Sequence, residues 1–465
     1  MTPDRGSSDM ERTLDSRRAI PNNGRLMIIM KFGGSSVAGL EKIRQVAEIV
    51  RGRLPRKPVV VASAFRGVTD ELFKLGEEAV KGRAPSIEPI RRRHQECLQE
   101  MGLDPDLLRN EFAELEVLLK GISLVRELSP RSLDYVVSFG ERLSTRIIAP
   151  IFTKLGVPAE QHDAFDVGLL TNDEFGGAQP LPEADAEIKR RVSTMTRVPV
   201  ITGYIGKTKS GAITTLGRNG SDFSATILGA AIDAEEIEIW SDVDGIMTAD
   251  PRLVPAAKPI DFLTFAEASE LAYYGGKVLH PATITPALLK SIPVRCLNTF
   301  KPGHPGTLIT ADMRKSGTGI KSIAHNLHNL ILTVSSPRML QGHGFLGRLF
   351  EVFGRRQISI DMISTSEVSV SVTLDSNRNL DAAVEELRTF AEVVVEKDRA
   401  IICVVGDGIR NTPGIAGDIF QALKEASVNV LMISQGASKI NVAFVVDDAD
   451  CQKAVQALHR KFFGV

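Results

Sequence analysis

The chain has few cysteines and no long hydrophobic run. Its 465 residues contain four widely scattered cysteines, at positions 97, 296, 403 and 451. None is spaced for a C-x-x-C motif, so we expect neither a disulfide framework nor a zinc site, and Cys97, Cys296, Cys403 and Cys451 are predicted to be core residues in a reducing cytoplasm. The apolar run at residues 26–30 is far shorter than the roughly 20 residues of a membrane helix, so no membrane partner is expected.

The chain also lacks an excess of either charge. It has 56 lysines and arginines against 57 acidic residues, a formal charge of −1, so no bulk field favours nucleic acid as a partner. Residues 1–25 mix basic and acidic side chains around no apolar core, which predicts a disordered extension rather than a targeting signal. At about 150 residues per domain, the length suggests roughly three domains.

Short apolar runs alternate with helical patterns over the first two thirds of the chain. Runs at 26–32, 58–63, 199–202, 236–240 and 294–297 are typical of buried strands, and residues 40–50 and 86–127 have helical spacing. This alternation predicts an α/β domain over residues 26–310, with an open, mainly parallel sheet between helices. The polar stretch 310–318 predicts a linker.

The remainder repeats itself at an offset of 70 residues without a gap. Gly344 aligns with Gly414, Gly347 with Gly417, and the tripeptide MIS at 362–364 with its copy at 432–434. Each copy predicts a strand, a glycine-bearing loop, an amphipathic helix and two further strands. We therefore expect two duplicated modules, at residues 320–398 and 399–465.

The motif KFGGSS at 31–36 joins a strand to a helix. Backbone N–H groups and the positive helix end can bind a phosphate there, and Lys31 adds a cation, although such a turn also occurs without a ligand. Neither a Walker loop nor a dinucleotide fingerprint is complete, because Ile201 and Asn411 stand where each needs glycine.

Two further motifs group polar side chains. In LGRNGSD at 216–222, Arg218 can bind a carboxylate through a two-pronged contact while Asp222 organises cations or a metal; alternatively, Ser221 or Asp222 caps a helix starting near Phe223. The motif WSDVDGIMTADPR at 240–252 suits a nucleotide and its Mg²⁺, or is an acidic turn without a ligand. Its candidates are Asp242, Asp244, Asp250 and Arg252.

Two weaker motifs complete the set. GGKVLHP at 275–281 places Lys277 at a glycine-rich boundary between helix and loop. FGER at 139–142 places Glu141 at a predicted helix start, where its carboxylate either caps the helix or holds a substrate ammonium.

Each motif alone is a weak signal, but their combination in this order is specific for one family. Residues 31–309 closely resemble the catalytic domain of aspartate kinases in the amino acid kinase family. The repeated tail resembles the paired ACT regulatory modules of the same enzymes, which implies two βαββαβ-type modules with a ferredoxin-like fold. In that family the second module is often inserted within the first. The stretches that carry the resemblance are KFGGSSV, SAFRGVTDEL, SFGERLS, TLGRNGSDFSA, IWSDVDGIMTADPR, LAYYGGKVLHP and NTFKPGHPGTLI.

The resemblance implies that ATP and L-aspartate react to give 4-phospho-L-aspartate and ADP, with Mg²⁺. No base is needed, because a side-chain carboxyl with a pKa of about 3.9 is already ionised at neutral pH. Two alternatives stay open: another amino acid kinase, or an inactive amino-acid sensor. Arg66 and Met247 depart from the usual residues, which are a small or apolar residue and tyrosine.

The same resemblance assigns the site residues. The catalytic pair is Lys31 and Asp222. The nucleotide is held by Lys31, Gly33, Gly34, Ser35, Ser241, Asp242, Met247, Arg252, Lys277 and Val278. Aspartate is held by Thr69, Glu141, Arg218, Asn219, Gly220 and Ser221.

For the regulatory modules, we expect L-lysine to be the effector, bound to the first module, with L-threonine as the alternative. The first copy has Asp361 and Glu367 where the second has Leu431 and Ala437, and a strand at 358–362 would turn Asp361 toward a ligand. The alternative is that both acids are solvated strand charges. A homodimer or homotetramer through the ACT modules is expected. By resemblance, the pocket is lined by Met339, Gly344, Phe345, Leu346, Ser359, Asp361, Ser366 and Glu367.

Overall fold

The computed structural model describes residues 27–83, 85–275, 281–312, 319–340, 343–374, 379–410, 412–435 and 440–464. Within these ranges, every helix is too short or too polar to span a bilayer. The four cysteine thiols are buried, and none is in a disulfide.

An eight-stranded sheet forms the centre of the first domain, and a three-stranded sheet lies beside it. The large sheet has the order β3-β5-β2-β1-β8-β10-β11-β9, and its β10–β11 pair is antiparallel. The small sheet has the order β4-β6-β7. The strands are β1 (Ile28–Phe32), β2 (Pro58–Ala62), β3 (Ala159–His162), β4 (Leu170–Thr171), β5 (Val198–Thr202), β6 (Ile205–Thr208), β7 (Ile213–Thr215), β8 (Ile237–Ser241), β9 (Phe262–Thr264), β10 (Val294–Asn298) and β11 (Thr307–Thr310).

Helices cover both faces of the large sheet. Successive residues of a strand point to opposite faces, and β1 and β2 are buried at every residue, so both faces need a covering layer. Met30 belongs to one hydrophobic core together with Phe139 of α6, whereas Ile29 belongs to the other together with Leu228 of α8. The predicted α/β sheet with two helical layers is confirmed. The helices are α1 (Gly34–Val37), α2 (Leu40–Arg53), α3 (Val68–Ala79), α4 (Glu88–Met101), α5 (Arg109–Val125), α6 (Pro130–Lys154), α7 (Ala184–Val192), α8 (Gly220–Ala231), α9 (Phe265–Tyr273) and α10 (Pro281–Leu289).

The second part of the chain folds into an antiparallel six-stranded sheet of order β13-β14-β12-β15-β17-β16. Helices α11 and α13 begin and end 70 residues apart, in line with the repeat, and each follows a glycine with positive φ, at Gly344 (+84°) and Gly414 (+88°). The elements are β12 (Ser322–Ser335), α11 (Phe345–Arg355), β13 (Ile363–Thr365), β14 (Ser369–Leu374), α12 (Leu380–Arg388), β15 (Glu392–Val405), α13 (Ile415–Glu425), β16 (Met432–Ser434), β17 (Asn441–Asp447) and α14 (Cys451–Phe463).

Strands β12 and β15 each run through both modules. Residues 330–335 of β12 pair with β14, while residues 322–326 pair with 401–405 of β15, beyond a shift in register. The second module therefore takes one strand from residues 322–326, and the first module lies between its two parts. This insertion is the reverse of the expected one, and residues 322–326 lie outside the range expected for their module. The reason is that two 14-residue strands continue across the repeat boundary.

The second module packs directly against the first domain. The loop after β8 shares a hydrophobic core with it, in which Val254 joins Phe444. Thr248 Oγ1 lies 2.9 Å from His459 Nε2, and Gln456 Nε2 donates to the Leu253 carbonyl at 2.8 Å. Helix α9 joins the core between the two large sheets. The contacts of Val254, Thr248 and Leu253 attach the second module to the segment that follows the central strand β8.

Candidate active site

The carboxyl ends of β1 and β8 meet where the connections of the parallel sheet diverge to opposite sides. Ligands bind outside the carboxyl ends of strands at such a point. The Gly33 N–H donates to the Trp240 carbonyl at 3.1 Å. A Cβ at Gly34 would lie 2.7 Å from the Ala64 carbonyl oxygen, so only glycine lets the first loop pass that close to the second.

A cleft of about 610 Å³ opens at this edge of the sheet. It is lined by the end of β1, the loop after β2, the start of α3, the middle of α6 and the start of α8. The structure thus brings together nine of the residues expected in the site. They are Lys31, Gly34, Thr69, Glu141, Arg218, Asn219, Gly220, Ser221 and Asp222.

Lys31 and Asp222 form an ion pair inside this cleft. Lys31 Nζ lies 2.5 Å from Asp222 Oδ1, and the two side chains are 11% and 9% exposed. Helix α8 begins at Gly220 rather than near Phe223, because Asn219 has a left-handed backbone with a φ of +55°. Ser221 and Asp222 consequently lie in the first turn, and no side-chain cap forms. The Asp222 carboxylate is directed to Lys31 instead.

Glu141 lies in the middle of α6, not at a helix start as expected. Its side chain is fully buried, and burial raises the pKa of its carboxyl from 4.5 to about 8, although the Ala64 N–H and the Lys31 charge oppose the shift. Its Oε2 atom has no hydrogen-bond partner among the described residues. A Cβ at Gly140 would lie 2.8 Å from the Ala64 Cβ, so this glycine allows α6 to approach the loop. The cleft therefore holds a carboxyl group that lacks a full set of partners.

Asp134 is a functional candidate that the sequence did not reveal. It lies about two helical turns before Glu141 on α6 and is therefore on nearly the same face. Its carboxylate accepts hydrogen bonds from the Thr215 N–H (2.8 Å), the Thr215 hydroxyl (2.8 Å) and the Gly176 N–H (3.0 Å). These contacts hold the segment that leads to Arg218. The seven-residue spacing of Asp134 from Glu141 is the sequence feature that could have indicated it. Arg66, Gly67, Asp70, Phe73, Gly176 and Tyr204 also line the cleft.

Two carboxylates of the acidic loop after β8 are paired with cations of the protein. Asp244 accepts hydrogen bonds from Asn298 Nδ2 and Lys301 Nζ, both at 2.6 Å, and these contacts lower the pKa of its carboxyl. Arg252 forms an ion pair with Asp250, and this contact lowers the pKa of that carboxyl as well. Asp244 and Asp250 thus have cation partners within the chain, which favours the alternative of an acidic turn for these two carboxylates.

The remaining nucleotide candidates do not line the cleft or lie outside the described residues. Ser241 ends β8 and Asp242 follows it, exposed, while the Met247 carbonyl accepts a hydrogen bond from the Ser322 hydroxyl at 2.8 Å. Met247 thereby contacts β12 of the second module. Lys277 and Val278 lie outside the described residues. Gly33 is the N-cap residue of α1, and Ser35 follows Gly34 in the first turn of that helix.

The effector candidates lie before α11, at its start, and on either side of β13. Residues 358–362 precede β13 rather than forming a strand, yet Ile358 and Met362 are buried and Ser359 is exposed, as the alternation predicts. Asp361 Oδ1 accepts a hydrogen bond from the Tyr273 hydroxyl of α9 at 3.0 Å. Asp361 therefore connects the first module to the first domain. Met339 and Phe345 pack against the core of the module, whereas Gly344, Leu346, Ser366 and Glu367 are exposed.

The chain is similar to known proteins over nearly its whole length. The sequence profile of the amino acid kinase family matches residues 27–298, and that of the ACT domain matches 332–389 and 402–462. The chain is 42% identical to the chloroplastic aspartokinase 1 of Arabidopsis thaliana, over 94% of this chain and 80% of the relative.

Two solved structures of Escherichia coli aspartokinase III, both 34% identical to this chain, have the same fold. The complex with aspartate and ADP (R-state) superimposes with a TM-score of 0.82 over 94% of this chain and 100% of the other. The complex with lysine and aspartate (T-state) gives 0.76 over 94% and 99%.

The buried Glu141 predicts a pH-dependent stability of the ligand-free protein. Because the folded pKa of about 8 exceeds the ordinary 4.5, the protonated carboxyl stabilises the fold fully below pH 4.5. This contribution is lost as the pH rises toward 8. We expect Glu141→Gln, which stays neutral, to have a Tm that exceeds the wild-type Tm increasingly between pH 5 and pH 8.

Differential scanning fluorimetry across this pH range measures the difference in Tm. The exposed Glu77 supplies the control, since Glu77→Gln should follow the wild-type Tm at every pH. A Glu141→Gln protein whose Tm also parallels the wild type would show that Glu141 is ionised in the folded state.

Proposed function

The chain belongs to the amino acid kinase family and, within it, to the aspartokinases, and we propose that its cleft transfers the γ-phosphoryl group of ATP to the side-chain carboxylate of L-aspartate. The products are 4-phospho-L-aspartate and ADP. The observation that carries the proposal is the arrangement of the buried Glu141 carboxyl, the Arg218 guanidinium and the Lys31 ammonium around a single cleft. The carboxyl and the guanidinium complement the ammonium and a carboxylate of aspartate, and the lysine complements the phosphates of ATP.

Two side chains of opposite charge select aspartate. Arg218 is exposed in the cleft, and we assign it to a carboxylate of the substrate through a two-pronged contact. Glu141 takes the ammonium, whose positive charge favours the ionised form of this buried carboxyl. The remaining contacts are assigned to hydroxyl and backbone groups of Thr69, Asn219, Gly220 and Ser221.

ATP is bound as its magnesium complex, so that Mg²⁺ accompanies the nucleotide phosphates. Lys31 and the backbone of Gly33, Gly34 and Ser35 hold the phosphates, because a glycine-rich loop after a strand presents N–H groups without obstruction. The loop after β8 and the segment that follows α9 border the nucleotide. Their assigned residues are Ser241, Asp242, Met247, Arg252, Lys277 and Val278.

The chemistry requires positioning and charge neutralisation rather than a base. The attacking carboxylate is ionised at neutral pH, and both it and the phosphates are anionic. Lys31 compensates the charge that accumulates on the transferring phosphoryl group, as expected for phosphoryl transfer. Asp222 fixes the position of Lys31 Nζ through the 2.5 Å ion pair. This intact pair favours an enzyme over an inactive sensor.

The two ACT modules make the enzyme subject to feedback control, and we propose L-lysine as the effector. The lysine complex of the Escherichia coli relative supports this choice. Asp361 offers a carboxylate for the ε-ammonium and already contacts α9 of the catalytic domain. Ile363 of β13 and Ile433 of β16 are 43% and 47% exposed, which supports assembly of two copies through this sheet.

We expect Lys31→Ala and Asp222→Ala each to lower kcat by about a hundredfold or more. The first change removes the compensating cation, and the second removes the partner that holds Lys31 Nζ in position. Neither residue lies in a loop, and each single change leaves a buried charge unpaired. The singles should therefore also lose stability. Measurements of kcat and Tm separate the two effects.

The double variant Lys31→Met/Asp222→Asn is the control for folding. It removes both charges, so its Tm should exceed that of either single variant while its kcat stays low. Activity restored in the double variant would show that the pair acts only in folding.

Substrate recognition is tested at Arg218. We expect Arg218→Ala to raise KM for aspartate by about tenfold or more, with little change in KM for ATP, since a charge-assisted contact is lost. Arg218→Lys keeps the charge but lacks the planar guanidinium, so its KM for aspartate should lie between those of the wild type and Arg218→Ala. ADP release with aspartate, glutamate and N-acetylglutamate gives the substrate preference. A rise confined to KM for ATP, or a preference for glutamate, would contradict the assignment.

We expect L-lysine at millimolar concentration to inhibit the wild-type enzyme and Asp361→Ala to be insensitive to it. Because Asp361 also contacts Tyr273, calorimetry should measure lysine binding directly. Asp381→Ala, an exposed charge change in the same module, should keep wild-type inhibition. Inhibition by threonine alone would overturn the choice of lysine, and full lysine binding by Asp361→Ala would show that the pocket lies elsewhere.

A further inference from the structure

A second cavity, with a volume of about 350 Å³, adjoins the cleft. Helix α6 contributes to both: Glu141 lines the cleft, whereas Tyr135 and Arg142 line the second cavity. The hairpin of β6 and β7 forms the opposite wall. The two cavities share no lining residue, so the second one is a separate compartment that the phosphoryl transfer does not use.

Both carboxylates of the second cavity already have cation partners. Glu114 Oε2 accepts from Arg142 Nη2 at 2.7 Å, and Asp163 accepts from two nitrogens of Arg146, each at 2.9 Å. Burial raises the pKa of Glu114, but hydrogen bonds from Tyr135 and Arg142 more than offset it and lower that pKa overall. The negative charge of the wall is therefore compensated within the protein.

The cationic groups of the wall are not compensated to the same extent. Arg142 is nine-tenths buried, and its Nε and Nη1 donate to no acceptor among the described residues. Lys207 Nζ lies 3.7 Å from the centre of the Phe165 ring, and neither it nor Arg131 forms an ion pair with a described carboxylate. A buried donor without an acceptor destabilises the fold, because it has lost its hydrogen bonds to water. The wall thus holds two buried Arg142 donors without an acceptor, together with two cations, the half-buried Lys207 and the exposed Arg131, that have no described carboxylate partner.

We propose that this cavity binds a small metabolite through an oxyanion, with Arg131, Arg142 and Lys207 as its anchors. Phosphate and carboxylate groups share the required chemistry, because both accept charge-assisted hydrogen bonds from arginine and lysine. The volume lies at the lower end of the range of small-molecule sites. An oxyanion there neutralises the cationic wall and supplies acceptors to Arg142.

Occupation of the cavity affects aspartate binding in the cleft; this step rests on the function proposed above. The ligand joins Arg142 of α6 to Lys207 of the hairpin, and the second strand of that hairpin ends at Thr215, shortly before Arg218. Asp134 holds Thr215 from the same helix. An anion in the cavity thereby tightens the segment that carries Arg218 and lowers KM for aspartate.

Titration of the full chain with inorganic phosphate at constant ionic strength tests the site, with succinate as the carboxylate probe and chloride as the reference. Differential scanning fluorimetry and calorimetry report binding. We expect Lys207→Ala and Arg131→Ala each to weaken binding by about tenfold, as for the loss of one charged contact. Lys209→Ala is the matched control, since Lys209 lies on the same hairpin but pairs with Glu183 outside the cavity. It should bind like the wild type.

The outcomes separate the site from its effect on the cleft. Phosphate binding that is equal in the wild type and Lys207→Ala would place the anion elsewhere, for instance at Lys31, and overturn the site. Equal losses in Lys207→Ala and Lys209→Ala would reduce it to a general charge effect and overturn it as well. Binding that depends on Lys207 without any change in KM for aspartate would confirm the site and contradict only the coupling. Binding measurements do not depend on the kinase assignment.

Discussion

The ion pair between Lys31 and Asp222 is the contact on which the cleft depends. It joins the central strand β1 to the first turn of α8, two elements far apart in sequence, in a place almost closed to water. Ion pairs of this kind cost desolvation energy and are strongly destabilised when one partner is lost. Their value here is positional, because a cation must stay where a carboxylate and a polyphosphate approach each other. Gly34 and Gly140 allow the surrounding loops and α6 to close around that point.

Helix α6 organises the polar groups around the pair. Its successive side chains diverge by about 100°, so Asp134 and Glu141 serve the cleft while Tyr135 and Arg142 serve the second cavity. Phe139, between them, is fully buried in the core and fixes the rotation of the helix. A single rigid element thus sets both the carboxyl that is assigned to the substrate ammonium and the guanidinium of the proposed anion site.

Features with a local pattern could be predicted from the sequence, and features that depend on long-range contacts could not. Apolar runs located β1, β2, β5, β8 and β10 to within one or two residues, and the 70-residue repeat located α11 and α13. The continuation of β12 and β15 across both modules depends on pairing between distant segments. The pairing of Arg252 with Asp250 and of Lys301 with Asp244 is equally invisible in a motif, as is the role of Asp134, which is defined by backbone groups of other elements.

The direct test of the account is the identity of the phosphorylated group. Purified protein is incubated with ATP, Mg²⁺, aspartate and hydroxylamine, which traps an acyl phosphate as its hydroxamate, and the product is identified by mass spectrometry and NMR. The account predicts the β-hydroxamate of aspartate, formed in amounts that match ADP release and lost in Lys31→Met/Asp222→Asn. ADP release without hydroxamate, or a hydroxamate on the α-carboxyl group, would contradict it.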